Sequence, residues 1–493
     1  MRHLKSKYLK IKPLALMLLC ALGAILFFIG KIQNSYVLQV WGIMSVWINN
    51  LLYSIYSFRK RVVFLFFNIT MFVLLISRPF IAVVRNSSFW YFAPKDIDFS
   101  LNGVFLSLLF LFFGVLLATK VTTRGFSKSN EINNESSSIE FLQISSFFLY
   151  VISILCTLIL NTEKFFYARS TSYLDYHANF ISNMPLFVKA FSLVSSFAMC
   201  VLLATFPSKR KSFAILGVYI FSNIPTFLMG SRNSFVLSVI FAIVYFIMRS
   251  FYDSKINWVG KKEGILIGIL IPPGLIALGA MNYLRADEAV APKGILSLIV
   301  DFFYKQGTSF DTLSIGHKFM ERLPFPDIKL YTFGPYLDVF KYGIISQKLF
   351  GMRSMNEGNN YYRGLASYQF ANNLDYVSRF KEFFQGNGFG SSFILETYID
   401  FGYVGVAFFS LIFGMLSILF LCYFRKSKPF LSTIILVSLI SFFFLPRDAA
   451  LRWSVFILKP SFWTTIFICW IGAFLLRKFR KEKIISWLVT KFS

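Results

Sequence analysis

Between two apolar runs the chain reads "FLMGSRNSFV", Phe227 to Val236, and the arginine in it needs either water or an anion. Gly230 can close the incoming helix and Ser231 can cap the outgoing one, which leaves Arg232 in a first helical turn. Such a turn has free N–H donors and a partial positive charge, and an arginine beside it adds a bidentate fork for phosphate or diphosphate. A second cationic group stands in "LPRDAALRWSVFILKPSFW". There Pro446 ends one helix, Arg447 follows it, and Arg452 and Lys459 are seven residues apart and so share a helical face.

Other ionisable residues interrupt apolar sequence: Arg78 in "LISRPF", Lys189 in "LFVKAF", and Glu396 with Asp400 in "LETYIDFGYVG". Such groups are costly inside a bilayer and tend to mark function, although long cationic side chains also snorkel to the headgroups. Glu396 and Asp400 lie one helical turn apart, where acids either complement the helix dipole or serve as a base. His317, His177 and Asp311 are alternative bases. Asp96 and Asp98 in "KDIDF" have the spacing of a divalent-ion site, but two acids two apart arise often by chance. The three histidines are scattered, and the five cysteines all sit in apolar runs, so neither a metal site nor a disulfide framework is expected. The glycine-rich "GNGFGSS", Gly386 to Ser392, precedes a membrane run instead of following a strand and does not support nucleotide binding.

The elements that must hold these residues are membrane helices. Of 493 residues 56% are hydrophobic, and mean hydropathy is +0.63, well above a soluble domain. Apolar runs beginning near Pro13, Tyr36, Val62, Leu101, Phe141, Pro185, Phe213, Ser234, Gly264, Leu395, Phe430 and Ser454 predict an all-α integral membrane protein with about 12 spans in a single polytopic domain, residues 1–493. The first run is read as a retained anchor, because it is too long for a signal peptide's apolar core. A net charge of +27 is distributed in short clusters at every second connection, from the N-terminus through "FRKR" and "SKRK" to "RKFRKEK". That alternation encodes topology with both termini cytoplasmic, and it excludes a nucleic-acid partner.

The remaining connections then face outward, including a large extracytoplasmic loop, residues 284–394, of about 110 residues. All the cations singled out above fall at this outer side, as does Arg285 just past a helix end. Within the loop, Ile295 to Leu323 reads as an amphipathic helix pair able to lie flat on the leaflet. "NNYYRGLASYQFANN", with Tyr361 and Arg363, offers rings and amides to a sugar, or else packs as a polar cap.

"GNGFGSSFILETYIDFGYVGVAFFSLIFG", with "FLMGSRNS" and "KQGTSFDTLS", resembles the O-antigen and capsular repeat-unit polymerases of the Wzy family. The resemblance implies the membrane glycosyltransferase fold shared with O-antigen ligases, in the bacterial cytoplasmic (inner) membrane, with the active site facing the periplasm or exterior. It implies joining of undecaprenyl-diphosphate-linked oligosaccharides into O-antigen or capsule, alongside a flippase and a chain-length regulator, without a metal or other cofactor. Arg232 and one of Arg447 or Arg452 would then stabilise the departing diphosphate, with Glu396 as base. Arg285, Lys459, Asp311, His317, Asp400, Arg78, Tyr361 and Arg363 would contact substrate. A lipid-linked oligosaccharide flippase, a ligase, and a metal-dependent transferase using Asp96 and Asp98 are the competing readings.

Replacing Arg232 by alanine is expected to abolish polymer, read by gel, while protein level and membrane insertion stay normal; full-length polymer would remove the central site. Arg232→Lys keeps the charge and loses the planar fork, so it separates the two contributions.

Overall fold

Lipid offers no partner to a backbone N–H or C=O, so apolar runs of this length close their hydrogen bonds internally as helices. The computed structural model describes residues 13–87, 91–125, 136–253, 256–260, 294–324, 330–355, 358–426 and 428–479, with short pieces between 263 and 279. The described residues form helices and connections, with no strand among them. Among the described residues eight helices are long and apolar enough to cross a membrane, and a ninth span results if Leu186–Ser192 and Ser195–Ala204, bent by 40°, count as one. Twelve were expected. Tyr36–Tyr56 is a 21-residue helix outside those eight, Pro429–Phe442 has 14 residues, and the run near Gly264 lies mostly outside the described residues. The last run starts its α-helix at Pro460, because Arg452–Leu458 winds as a 3₁₀ helix.

Glycine sets the closest helix contacts. The central pair is Pro94–Gly125 against Phe393–Lys426. A Cβ on Gly114 would stand 2.1 Å from the Leu411 carbonyl oxygen, and one on Gly414 would stand 2.2 Å from that of Leu111. The two backbones therefore touch at reciprocal glycines, the small-residue packing that replaces hydrophobic drive inside a bilayer. Buried Ser107 and Ser410 share a 3.1 Å hydrogen bond in the same seam. At Gly402 the long helix breaks, with φ 63° and ψ −161°, a combination only glycine adopts readily. Residues 393–401 form a separate stub that carries Glu396 and Asp400.

The large loop is folded as short helices, and buried acids anchor it. Asp400 accepts the N–H groups of Tyr331 and Thr332 at 3.0 and 2.7 Å. Asp338 accepts from Ser367 Oγ, the Tyr368 N–H and Gln369 Nε2, each at 2.8 Å. Asp375 accepts the Phe389 N–H at 2.7 Å, and its Oδ2 lies 2.3 Å from where a Cβ on Gly388 would sit. Glu396, fully buried, accepts from Ser391 Oγ at 2.6 Å and from the Ala450 N–H at 2.9 Å.

The expected flat pair at 295–319 is not what forms. Ile295–Gln306 is partly buried, and Thr308–Phe319 is enclosed, with Phe310 and Leu313 almost inaccessible. Arg78 holds the second helix through Asp311 at 2.9 Å and stacks over Tyr304, while Tyr91 donates to the same carboxylate at 2.7 Å. Gly307 lets the two helices turn against the Arg78 backbone, where a Cβ would meet the Arg78 nitrogen at 2.7 Å.

Two outcomes follow from this packing. Gly414→Val is expected to eliminate the monodisperse, detergent-extracted protein on size exclusion, whereas Gly217→Ala, which meets nothing within 4 Å, should behave as wild type. Burial pushes the Asp375 carboxyl from an ordinary 3.8 up to about 7, against the opposing N–H of Phe389 and the nearby Arg379. The folded state thus holds this proton more tightly than the unfolded one, so the stability it contributes is complete below about pH 4 and is lost as pH rises to about 7. Thermal melts should show wild type losing more stability than Asp375→Asn between pH 5 and 7.5; parallel losses would exclude this assignment.

Candidate anion-binding site

The "GSRNS" connection folds as a tight turn between Ile224–Leu228 and Arg232–Tyr252. Gly230 takes φ 104°, and the Ser231 N–H returns to the Thr226 carbonyl at 3.0 Å. Gly230 closes the incoming helix, as its residue type suggested. Ser231 occupies the N-cap position but makes no capping bond with its side chain, and Arg232 is the first residue of the outgoing helix.

Arg232 does not hang free in solvent. With the Gln306 amide oriented so that both groups are satisfied, its Oε1 accepts from Arg232 Nη1 at 2.9 Å and Nη2 at 3.1 Å, and Nη1 also reaches the Leu278 carbonyl at 3.4 Å. Gln306 is fixed in turn at the end of Ile295–Gln306. That helix is tied down by Arg85 to Asp301 at 3.3 Å and by Ser77 Oγ donating to the Phe303 carbonyl at 2.8 Å.

Facing this turn is the glycine-rich connection. Gly386, with φ 84°, closes Phe380–Phe384, and the Asn387 N–H bonds the Glu382 carbonyl at 3.0 Å. Gly388 then runs against Asp375, where any side chain would collide. Arg447 ends the 3₁₀ turn Leu445–Arg447 beside Gly390, which has φ 82°. Arg232, Arg447, Gln306, exposed His177 and the backbones of Gly230 and Gly386 to Gly388 line one open cleft of about 210 Å³. Ser231, Asn233 and Asn387 also line it, and among the described residues no carboxylate does. Two cations and several neutral donors in one lining are the groups that an anion-binding site uses.

The remaining expected residues are distributed elsewhere. Arg452 and Lys459 do come together, but in a second cleft that shares no lining residue with the first. Glu396 and Asp400 are bonded to backbone as described, and Glu396 does not line the cleft. Arg78 and Asp311 form their own ion pair. His317 Nδ1 meets Asp96 Oδ1 at 2.6 Å and stacks on Phe99, while Asp98 faces Lys31 at 3.8 Å, so the two acids of "KDIDF" part ways. Among the described residues no three His, Cys, Asp or Glu side chains converge on a point. Tyr361 is 59% exposed and packs with Tyr376, Phe380 and Phe384, and Arg363 sits half-buried in the same short helix. Arg285 lies outside the described residues.

Sequence reading gave Gln306 and Asn387 no role. Gln306 carried only a faint signal, standing before a glycine that a close helix turn requires. "GNGFGSS" was set aside for nucleotides, and what brings it to the cleft is a buried carboxylate, Asp375, from a separate helix.

No curated protein and no solved structure matches the chain. The family model described as O-antigen polysaccharide polymerase Wzy matches residues 15–479, nearly the whole chain and every element that builds the cleft. Helical throughout its described residues, with membrane-length apolar helices, and matched over that span, the chain belongs to the O-antigen polysaccharide polymerase Wzy family.

Proposed function

We propose that this protein joins oligosaccharide repeat units carried on undecaprenyl diphosphate, at the outer face of the bacterial cytoplasmic membrane, and that the cleft of Arg232 and Arg447 receives the diphosphate of the growing chain. The observation that carries the reading is the meeting of two arginines from distant connections in the lining of one cleft. The non-reducing-end hydroxyl of an incoming unit attacks the anomeric carbon of the growing chain. A new glycosidic C–O bond forms, the bond from that carbon to the diphosphate oxygen breaks, and undecaprenyl diphosphate leaves with the electron pair. Negative charge develops on the departing diphosphate, where fixed guanidinium groups lower the barrier without a metal.

The acceptor hydroxyl loses a proton in this step. His177 lines the cleft and titrates in the neutral range as a residue type, so we assign it as the base. Glu396 takes a positioning role, because both its oxygens already accept hydrogen bonds from the chain. Alternation of basic clusters supports the outward orientation, and the exposed ring of Tyr361 is suited to stacking on a sugar. A flippase delivering units and a chain-length regulator are the expected partners.

The first test is surface polysaccharide on a gel from a deletion strain. Single repeat units on the surface acceptor are expected; no surface-attached sugar at all would favour a ligase or a flippase instead. In complementation, Arg447→Ala should reproduce the deletion, since loss of one such donor typically costs about 10²–10³ in rate. His177→Ala should slow polymer formation by about 10² or more. Wild-type chain lengths from Arg447→Ala would remove the diphosphate assignment.

A further inference from the structure

A second cleft opens between the ends of Ser195–Ala204 and Pro429–Phe442 and the 3₁₀ helix Arg452–Leu458. One part of it is polar and rich in donors. Arg452 gives Nη1 to Gln369 Oε1 at 3.4 Å and places Nε 3.9 Å from Asp448, and its Nη2 has no acceptor among the described residues. The Lys459 ammonium has no acceptor among them either, and its charged neighbour is Arg452. The indole N–H of Trp453, in the same lining, is closed off from solvent and meets no acceptor. Asp448 is the single acid in the lining, and its other oxygen accepts the N–H of Ala449 at 2.8 Å.

The other part is apolar, formed by Phe197, Ile440 and Phe456. The flank beside it exposes Ile457, on that 3₁₀ helix, and Trp463, on the membrane-length apolar helix Pro460–Lys478, at 38% and 48%. Two cations and an orphaned N–H beside a hydrocarbon-lined wall match one kind of ligand: an anionic headgroup followed by an acyl or prenyl chain. A free sugar would leave the apolar wall uncovered, and a free phosphate would leave it wet.

We propose that this cleft is a second anion site, which binds the phosphate of a lipid, with Arg452 and Lys459 on the phosphate and the first methylenes of the chain against Phe197, Ile440 and Phe456. Two sources carry that chemistry, a prenyl diphosphate and a bilayer phospholipid. The choice of the first as a probe rests on the function proposed above.

The test is native mass spectrometry of the full chain in detergent, titrated separately with farnesyl diphosphate and dioleoyl phosphatidylglycerol. Wild type is expected to bind two farnesyl diphosphates. Arg452→Gln/Lys459→Gln should bind one, with the second shifted at least tenfold in concentration, and Lys459→Gln alone should weaken it by less. Arg232→Gln/Arg447→Gln should also bind one, by losing the first cleft. If that pair of substitutions changes nothing, the reading of the first cleft fails and the second site stands on its own variants. A site filled by phosphatidylglycerol alone, and lost in Arg452→Gln/Lys459→Gln, assigns it to bilayer lipid. Binding of both probes unchanged in that variant and in Lys459→Gln, with each still eluting as a monodisperse peak, overturns the proposal.

Discussion

A carboxylate taken out of water must be given donors, and in this protein that requirement organises everything above the helices. Acids are scarce, 23 against 50 Lys and Arg, and several of them are placed where a loop crosses the bundle. Asp311, Asp338, Asp375, Glu396 and Asp400 each tie two segments far apart in sequence, mostly through backbone N–H groups of short helices and turns. Apolar residues such as Phe310, Phe370 and Leu374 dock the loop on the core, and directed hydrogen bonds to these acids fix its register. Among the described residues the first cleft has no acid in its lining, where Arg232 and Arg447 meet.

One connection lines two clefts. The stretch from Leu445 to Lys459 winds as two 3₁₀ turns joined at Asp448 to Leu451, and the Ala450 N–H at their junction is held by Glu396. Arg447 is delivered to one cleft and Arg452 with Lys459 to the other. A regular α-helix through the same residues would have placed its side chains on a 100° repeat around a single axis. Pro446 and the buried carboxylate together prevent that continuation.

Much of this was legible in sequence, for reasons that differ by element. Apolar runs announce themselves because lipid tolerates little else, and the "GSRNS" turn could be read since glycine and proline-free first turns have strong local rules. Pairing across distance left no such trace. Arg232 and Arg447 are more than two hundred residues apart, and the joint lies in Gln306 and in a loop pinned by Asp375. Glu396 looked like a base because its helical position and type suit one; that both its oxygens would be engaged, by Ser391 and by the distant Ala450, left no trace in the sequence. Arg452 and Lys459 were grouped on the assumption of an α-helix, and they do share a cleft although the helix between them is 3₁₀.

The break at Gly402 has a mechanical result. A span meeting a bilayer thinner or thicker than its apolar length responds by changing its tilt. In a continuous helix from Phe393 to Lys426 that tilt would swing the N-terminal end, and with it Ser391, Ala450 and the turn at Tyr331. A joint at Gly402 divides the lever: residues 403–426 follow the lipid, while the stub before them stays clamped by Glu396 and Asp400. The charged apparatus is thereby insulated from membrane thickness, so a change in acyl-chain length is absorbed in the hydrocarbon and does not reach the geometry of the arginines.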